Sequence, residues 1–204
     1  RPHRFAIEAT AIEPGREPGP MSDAGGELIA ELARRVRAAR QRDRPVMCAF
    51  GAHAIKNGLA PVLVRLIEDN WLTHLATNGA GIIHDWEFSY LGASCEDVAQ
   101  MVTEGRFGNW HETGLYLNLA LNIGAYEGRG YGESIGAMIH TQGLDIPSEA
   151  DLEGAVAAHL AHDPQQSAAA ADLLWVVRRF ELAPGRLTFR TRGDATAPRG
   201  TPSS

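Results

Sequence analysis

The stretch PVMCAFG at residues 45–51 is a short, continuous apolar run closed by glycine. This pattern is typical of a β-strand that is buried on both faces. Residues 59–68 then have helical spacing, and WLTHLAT at residues 71–77 predicts a second strand that runs into NGAG at residues 78–81. Strand, helix, strand and small-residue turn together make a βαβ unit. These residues therefore predict an α/β fold with a parallel sheet and flanking helices.

The rest of the chain reads as mostly helical. Residues 27–43 place apolar side chains at helical spacing with arginines on the other face. Ser94 is predicted to begin a helix because Asp97 follows three residues later, as in a capping box. Later helices are predicted over residues 112–125, 148–162 and 168–180. Two strands are fewer than the roughly five or six of a Rossmann-like domain. Either further strands lie in segments with a weak strand signal or the chain is a shortened version of a larger domain; we expect the second, with a helical C-terminal half.

Composition at the ends of the chain predicts its domain organisation. Residues 1–26 include a stretch rich in Pro and Gly and are interpreted as a flexible N-terminal arm. Residues 27–183 are predicted to form a single α/β domain. Residues 184–204 are rich in Pro, Gly, Thr and Ser and are predicted to be a disordered tail, apart from a short strand near residues 187–189. The first residue is not Met, which suggests a trimmed or partial chain.

Charge and cysteine content narrow the classes of partner. The 204 residues carry 25 acidic and 19 basic side chains, a net charge of −6, which argues against a nucleic-acid binder with a basic surface. No apolar run reaches the roughly 18 residues that would span a bilayer. The two cysteines, Cys48 and Cys95, are too few for a disulfide framework. We therefore expect a cytoplasmic protein that binds neither nucleic acid nor membrane.

Two loops follow the predicted strands and are expected to meet in one crevice. Ligands of open α/β sheets bind beyond the carboxyl ends of the strands, where residues 51–58 and 77–87 would lie. Glycine lets the backbone approach a phosphate, and the following helix offers unpaired N–H groups to an anion. A tight strand-to-helix turn without a ligand is the alternative interpretation. The candidate cofactor-binding residues are Gly51, His53, Asn78, Gly79, Ala80 and Gly81.

The same loops carry candidate catalytic residues. Lys56 is the only lysine of the chain, and in a crevice it could bind a phosphate or form a Schiff base. An exposed lysine at a helix entry is the alternative. His84 and His111 are candidate proton shuttles. Asp85 and Glu87 could hold a cationic amine, although Asp85 could also be a first-turn partner of the helix dipole.

A metal site is a weaker alternative. Metal binding needs three or four ligands in a fixed geometry, and His53, His84, Asp85 and His111 could be combined in that way. Their spacing is not diagnostic, so no metal is assigned. A metal-assisted hydrolase stays open as a third hypothesis.

Several motifs resemble those of deoxyhypusine synthase-like proteins. They are GAHAIKNGLAP at residues 51–61, NGAGIIHDWE at 78–87, LGAS at 91–94 and the region of Glu112-Thr-Gly, and the resemblance covers about residues 27–140. It implies a Rossmann-like sheet, bound NAD and a homo-oligomer such as a tetramer with sites at subunit contacts. The family's enzymes move the aminobutyl group of spermidine onto a protein lysine, with NAD taking and returning a hydride, and related members use small diamines.

The resemblance places the family's cofactor loops at Ala52–Lys56 and Asn78–Ala80. The family's acidic pair would fall at Ile83 and His84 and is not kept, so Asp85 and Glu87 are displaced candidates for binding the polyamine. The family's catalytic lysine lies late in a longer chain, whereas no lysine follows Lys56 here.

These observations predict an NAD-dependent, aminoalkyl transferase-like protein acting on a polyamine or related amine, with a small amine or a protein lysine as its partner. In that interpretation Lys56 has taken over the amine role. The alternative is a non-catalytic nucleotide-binding or assembly protein on the same fold.

Overall fold

The computed structural model describes residues 3–190 and has the mixed α/β class expected from the sequence. It is about 59% helical, and its strands form small two-stranded sheets, which pair β1 with β4, β2 with β3 and β5 with β6 as bounded below. The described residues form two compact units, one of residues 3–85 with Ala93–Cys95 and one of Trp86–Gly92 with residues 96–190. The predicted domain boundaries stay a prediction.

The first unit contains the predicted βαβ segment. Its elements in chain order are β1 (His3–Ala6), α1 (Ile7–Thr10), α2 (Asp23–Gln41), β2 (Met47–Ala49), α3 (Ala52–Lys56), α4 (Ala60–Glu68), β3 (His74–Ala76), the start of α5 (Gly79–Leu91) and most of β4 (Ala93–Glu96). The two strands expected from residues 45–51 and 71–77 pair in parallel, with Cys48 opposite Leu75. Both predicted strands, and the helices between and before them, are therefore confirmed. The expected burial of the first strand on both faces is wrong, because Met47 and Ala49 are exposed in β2 and only Cys48 is half-buried.

Local signals explain where the helices of this unit begin. The Ser22 hydroxyl accepts a hydrogen bond from the backbone N–H of Gly25 and caps α2, as serine does at many helix starts. Helix α4 has proline in its first turn, where the missing N–H of proline costs nothing. The N-terminal segment that was predicted to be a flexible arm contributes β1, α1 and the beginning of α2.

The second unit holds most of the buried apolar side chains. Its remaining elements are α6 (Val98–Thr103), α7 (His111–Tyr126), α8 (Tyr131–Thr141), β5 (Gly143–Ile146), α9 (Glu149–His159), α10 (Pro164–Arg179) and β6 (Gly185–Thr188). Side chains that are almost fully buried line its core, namely Trp86, Leu119, Ile135, Met138, Leu152 and Leu173. Burying each such side chain contributes about 1.5–3 kcal/mol, so this unit has a substantial core.

A cluster of four aromatic rings joins separate segments of the second unit. Trp86 stacks on Tyr90 at 4.9 Å between ring centroids, and Phe189 meets Trp86 edge-on at 5.1 Å. Tyr116 contacts all three rings. Burial, together with its contact with Tyr90, raises the pKa of Tyr116. The cluster therefore ties α5 and α7 to the chain that follows β6.

One sequence expectation in this region is wrong. Ser94 lies in strand β4 instead of starting a helix, and Cys95 beside it has a positive φ of 67°. Helix α6 begins at Val98 because the Asp97 carboxylate accepts the backbone N–H of Gln100 and is itself the cap. The strand expected near residues 187–189 forms as β6, whereas residues 191–204 of the predicted tail lie outside the described residues.

Candidate functional site

The carboxyl ends of β2 and β3 lie side by side in the first unit. Ala49 is the register partner of Ala76, and the backbone N–H of Phe50 donates to the Ala76 carbonyl at 2.9 Å. Because the two strands are parallel and end level with each other, the turns that begin at Gly51 and Asn78 leave the sheet at the same edge. The structure therefore brings the starts of both predicted loops to one edge.

The turn after β3 is an exposed helix start with unpaired N–H groups. The side-chain oxygen of Asn78 accepts the backbone N–H of Gly81 at 3.0 Å and so caps α5. The first N–H groups of a helix have no intrahelical acceptor, which leaves those of Gly79 and Ala80 directed out of the helix end. Both residues are exposed. This end of α5 can therefore receive an anionic group.

Gly81 has a packing role in this turn. It is buried, and a Cβ atom added to it would lie 2.5 Å from the Thr77 hydroxyl oxygen. Only a residue without a side chain fits there unless Thr77 moves. The glycine at position 81 is therefore explained by its close approach to Thr77, whereas Gly79 and Ala80 face solvent.

The turn after β2 leads to Lys56 at the far end of a short helix. Gly51 is the N-cap of α3, His53 is exposed and Lys56 is the last residue of the helix. The Lys56 ammonium nitrogen lies 5.6 Å from the centroid of the Phe5 ring in β1. A cation–π contact of this kind stabilises by about 0.5–1 kcal/mol at a partly exposed site. The only side-chain amine of the chain is thus half-buried against an aromatic ring.

Close packing fixes the chain just after Lys56. Gly58 has a φ of 82°, and a Cβ there would meet the Thr10 carbonyl oxygen at 2.0 Å. The Gly58 carbonyl in turn accepts the backbone N–H of Ile12 at 2.9 Å. The N-terminal segment therefore packs directly on the α3–α4 turn.

His84 is held by a residue whose role the sequence did not indicate. Its Nδ1 atom shares a hydrogen bond of 2.6 Å with the hydroxyl of Ser94, which is completely buried in β4. The bond restricts rotation of the imidazole ring. A histidine with a fixed ring is suited to proton transfer at its other nitrogen, and its spacing of ten residues from Ser94 gives no local sequence signal.

Asp85 is a half-buried carboxylate one residue further along α5. Burial raises the pKa of its carboxyl group above the ordinary value of 3.8. Within residues 3–190 it forms no hydrogen bond or ion pair. A cation placed beside it would relieve the cost of burying its charge.

The other candidate residues belong to the second unit. Glu87 is buried, and His111 is the exposed first residue of α7. Asp85 and Glu87 are two positions apart on one helix, so their side chains leave it on different sides. The helix itself therefore does not bring these two carboxylates to one face.

Sequence reasoning missed a buried carboxylate that organises a loop of the second unit. Glu96 accepts the backbone N–H of Gly108 at 2.7 Å and the indole N–H of Trp110 at 3.0 Å. These bonds hold the glycine-containing loop that leads into α7. The partners lie twelve and fourteen residues away, so no local motif could have indicated them.

Within the described part of the chain, no three His, Cys, Asp or Glu side chains lie close enough together to hold a metal ion. The metal-assisted alternative therefore gains no support from residues 3–190. No helix in that range is both long and apolar enough to cross a bilayer. The capped start of α5, the Ser94-bound His84 and the unpaired Asp85 are the features of the first unit that bear on function.

No protein-family model, no curated protein and no solved structure matches the chain.

Proposed function

We propose that the protein is a deoxyhypusine synthase-like, NAD-dependent aminoalkyl transferase that acts on a polyamine or a related amine. The observation that carries the proposal is the Asn78-capped start of α5 at the edge where β2 and β3 end together. A parallel strand pair followed by a small-residue turn and a helix start is the usual setting for a nucleotide phosphate. The proposal includes a larger Rossmann-like sheet, a cytoplasmic location and assembly into a homo-oligomer such as a tetramer.

The residues at this edge fit the phosphate groups of NAD. The exposed N–H groups of Gly79 and Ala80 supply hydrogen-bond donors, and the helix dipole adds a partial positive charge. Gly51 and His53 begin the neighbouring turn and would lie near the rest of the nucleotide. When bound, NAD supplies a hydride acceptor that later returns the hydride.

The amine part of the proposal depends on α5. Asp85 offers a carboxylate without a cationic partner, and a protonated amine would supply one. His84, with its ring fixed by Ser94, is the candidate for moving a proton to or from the amine nitrogen. Glu87 and His111 stay candidates from sequence for the same chemistry.

The binding of NAD is tested by placing a negative charge at the helix start. Gly79→Asp should weaken NAD binding at least about tenfold, because a carboxylate would repel the phosphates, while an acidic side chain in a first helical turn does not harm folding. Gly26→Asp is the matched control, since Gly26 lies in the first turn of α2 with open space around it. Isothermal titration calorimetry on the full chain measures both affinities. Absence of binding at millimolar NAD, or equal loss in both variants, would contradict the proposal.

A non-catalytic nucleotide-binding protein is the second candidate function. It is favoured by the position of Lys56, whose ammonium group lies against Phe5, because imine formation requires an accessible, unprotonated amine. The two functions separate in an assay for NADH formation when a polyamine or diamine is added to the NAD complex. Loss of turnover in Lys56→Arg with NAD affinity unchanged supports the transferase, whereas NAD binding without turnover of any amine by the unaltered chain supports the second candidate.

A further inference from the structure

A groove lies near the amino ends of β2 and β3, whereas the proposed NAD site lies at their carboxyl ends. It is formed where α2 ends and where the turn between α4 and β3 begins, and its volume is about 410 Å³. We call it the α2–α4 groove. Its lining consists of Arg37, Arg40, Gln41, Asp69, Asn70 and Trp71.

The α2–α4 groove carries uncompensated positive charge. The Arg40 guanidinium donates to two backbone carbonyls, those of Asn70 at 2.7 Å and Arg44 at 2.9 Å, so it is held in place without an acidic partner. Arg37 has no hydrogen-bond or ion-pair partner anywhere in residues 3–190. The single acidic side chain of the lining, Asp69, is already paired with Arg65 at 2.8 Å. The whole guanidinium of Arg37 and the Nη2 group of Arg40 are therefore available to an anion.

The groove also offers a flat apolar surface. Trp71 lines the groove and is 38% exposed, so part of this large aromatic side chain is open to a ligand. Asn70 before it has a φ of 60°, which turns the chain sharply at the end of α4. The side-chain amides of Gln41 and Asn70 add donors and acceptors. The groove therefore combines an aromatic surface, amides and unneutralised arginines.

We propose that the α2–α4 groove binds a small anion that carries a planar heteroaromatic ring, such as a nucleoside monophosphate. The ring would stack on Trp71, and the phosphate would pair with Arg37 and Arg40, since guanidinium groups match phosphate oxygens in geometry. The volume lies within the range of small-molecule sites. A nucleic-acid strand would need a longer row of phosphate contacts, and the net charge of −6 opposes it, so a single nucleotide is the favoured occupant.

The test is a calorimetric titration of the full chain with AMP, with adenosine and inorganic phosphate titrated separately. AMP should bind more tightly than either fragment. Arg37→Ala and Trp71→Ala should each weaken AMP binding about tenfold, which corresponds to the loss of one charge-assisted contact or one stacked base. Arg35→Ala and Trp175→Ala are matched controls, because Arg35 is paired with Glu31 on the same helix and Trp175 is exposed on α10.

Each contrary result would overturn the proposal. It fails if AMP does not bind at millimolar concentration, or if adenosine or phosphate alone binds as tightly as AMP. It also fails if a short RNA binds more tightly than AMP, or if the control variants lose as much affinity as Arg37→Ala. Arg37 is exposed, so its variant gives an answer even if Trp71→Ala fails to fold. Gly79→Asp should leave AMP binding at this groove unchanged. The groove proposal can therefore be tested whether or not NAD binds at the start of α5.

Discussion

The close packing of Gly81 against Thr77 at the proposed NAD site predicts how an alanine at position 81 changes stability. An alanine Cβ at this position would lie 2.5 Å from the Thr77 hydroxyl oxygen and 3.5 Å from the Thr77 Cβ and Cγ2 atoms. Overpacking of this kind costs about 1–3 kcal/mol. Alanine is at the same time the better helix former by at most about 1 kcal/mol. We therefore expect Gly81→Ala to lower the free energy of unfolding by about 0–3 kcal/mol.

The same substitution should have the opposite sign when Thr77 is shortened. In a Thr77→Ala background the hydroxyl is gone, so only the helix preference of alanine remains. Gly81→Ala should then raise the free energy of unfolding by up to about 1 kcal/mol. The expected coupling between the two positions is about 1–3 kcal/mol, the size of the overpacking cost.

Chemical denaturation followed by circular dichroism measures the four proteins of this double-mutant cycle. Equal effects of Gly81→Ala in the two backgrounds would refute the reasoning, because they would mean that Thr77 is not what excludes a side chain at position 81. A second reading comes from NAD. Since the N–H groups of Gly79 and Ala80 are untouched, the Thr77→Ala/Gly81→Ala double variant should bind NAD as the unaltered chain does.

Three further substitutions test other parts of the structure. Because burial raises the pKa of Asp85, ionisation of its carboxyl group opposes folding. The contribution of Asp85 to the free energy of unfolding is therefore greatest below about pH 3.8, and it is lost as the pH rises through the folded-state pKa. Asp85→Asn should therefore be more stable than the unaltered chain at neutral pH and equal to it in acid, as measured by urea unfolding across that range. Glu96→Ala removes two hydrogen bonds to a buried carboxylate, one from exposed Gly108 and one from half-buried Trp110, and should lower the free energy of unfolding by about 1.5–3 kcal/mol. Glu104→Ala, at an exposed site, should change thermal stability little. Gly124→Ala should destabilise by at least about 1–3 kcal/mol, because its Cβ would lie 1.9 Å from the Ser134 hydroxyl oxygen. When Ser134→Gly is combined with Gly124→Ala, it should recover part of the lost stability. No recovery would mean that a residue other than Ser134 excludes a side chain at position 124.

The elements that the sequence predicted well are those with a continuous local signal. The apolar runs at residues 45–51 and 71–77 became β2 and β3, and the serine before α9 caps that helix through its bond to the Asp151 N–H. In each case the residues that specify the element lie inside it or next to it. Such signals are readable without knowledge of the rest of the fold.

Features that depend on distant partners could not be predicted in this way. Ser94 precedes Asp97 at the spacing of a capping box, yet either residue could be the cap, and pairing of β1 with β4 takes Ser94 into a strand. The contacts of Glu96 with Trp110, and of Lys56 with Phe5, join segments with no shared motif. Their geometry follows from how the chain returns on itself, which periodicity does not encode.

The position of Lys56 beside Phe5 has a consequence for how the protein can be marked. Within these 204 residues it is the only side chain to which acetyl, methyl or ubiquitin groups could be attached through an amine. A reagent selective for side-chain amines therefore modifies only Lys56. The rate at which Lys56 is labelled would report how well β1 shields its ammonium group. Labelling would therefore measure, at a single residue, whether the N-terminal segment is packed against α3.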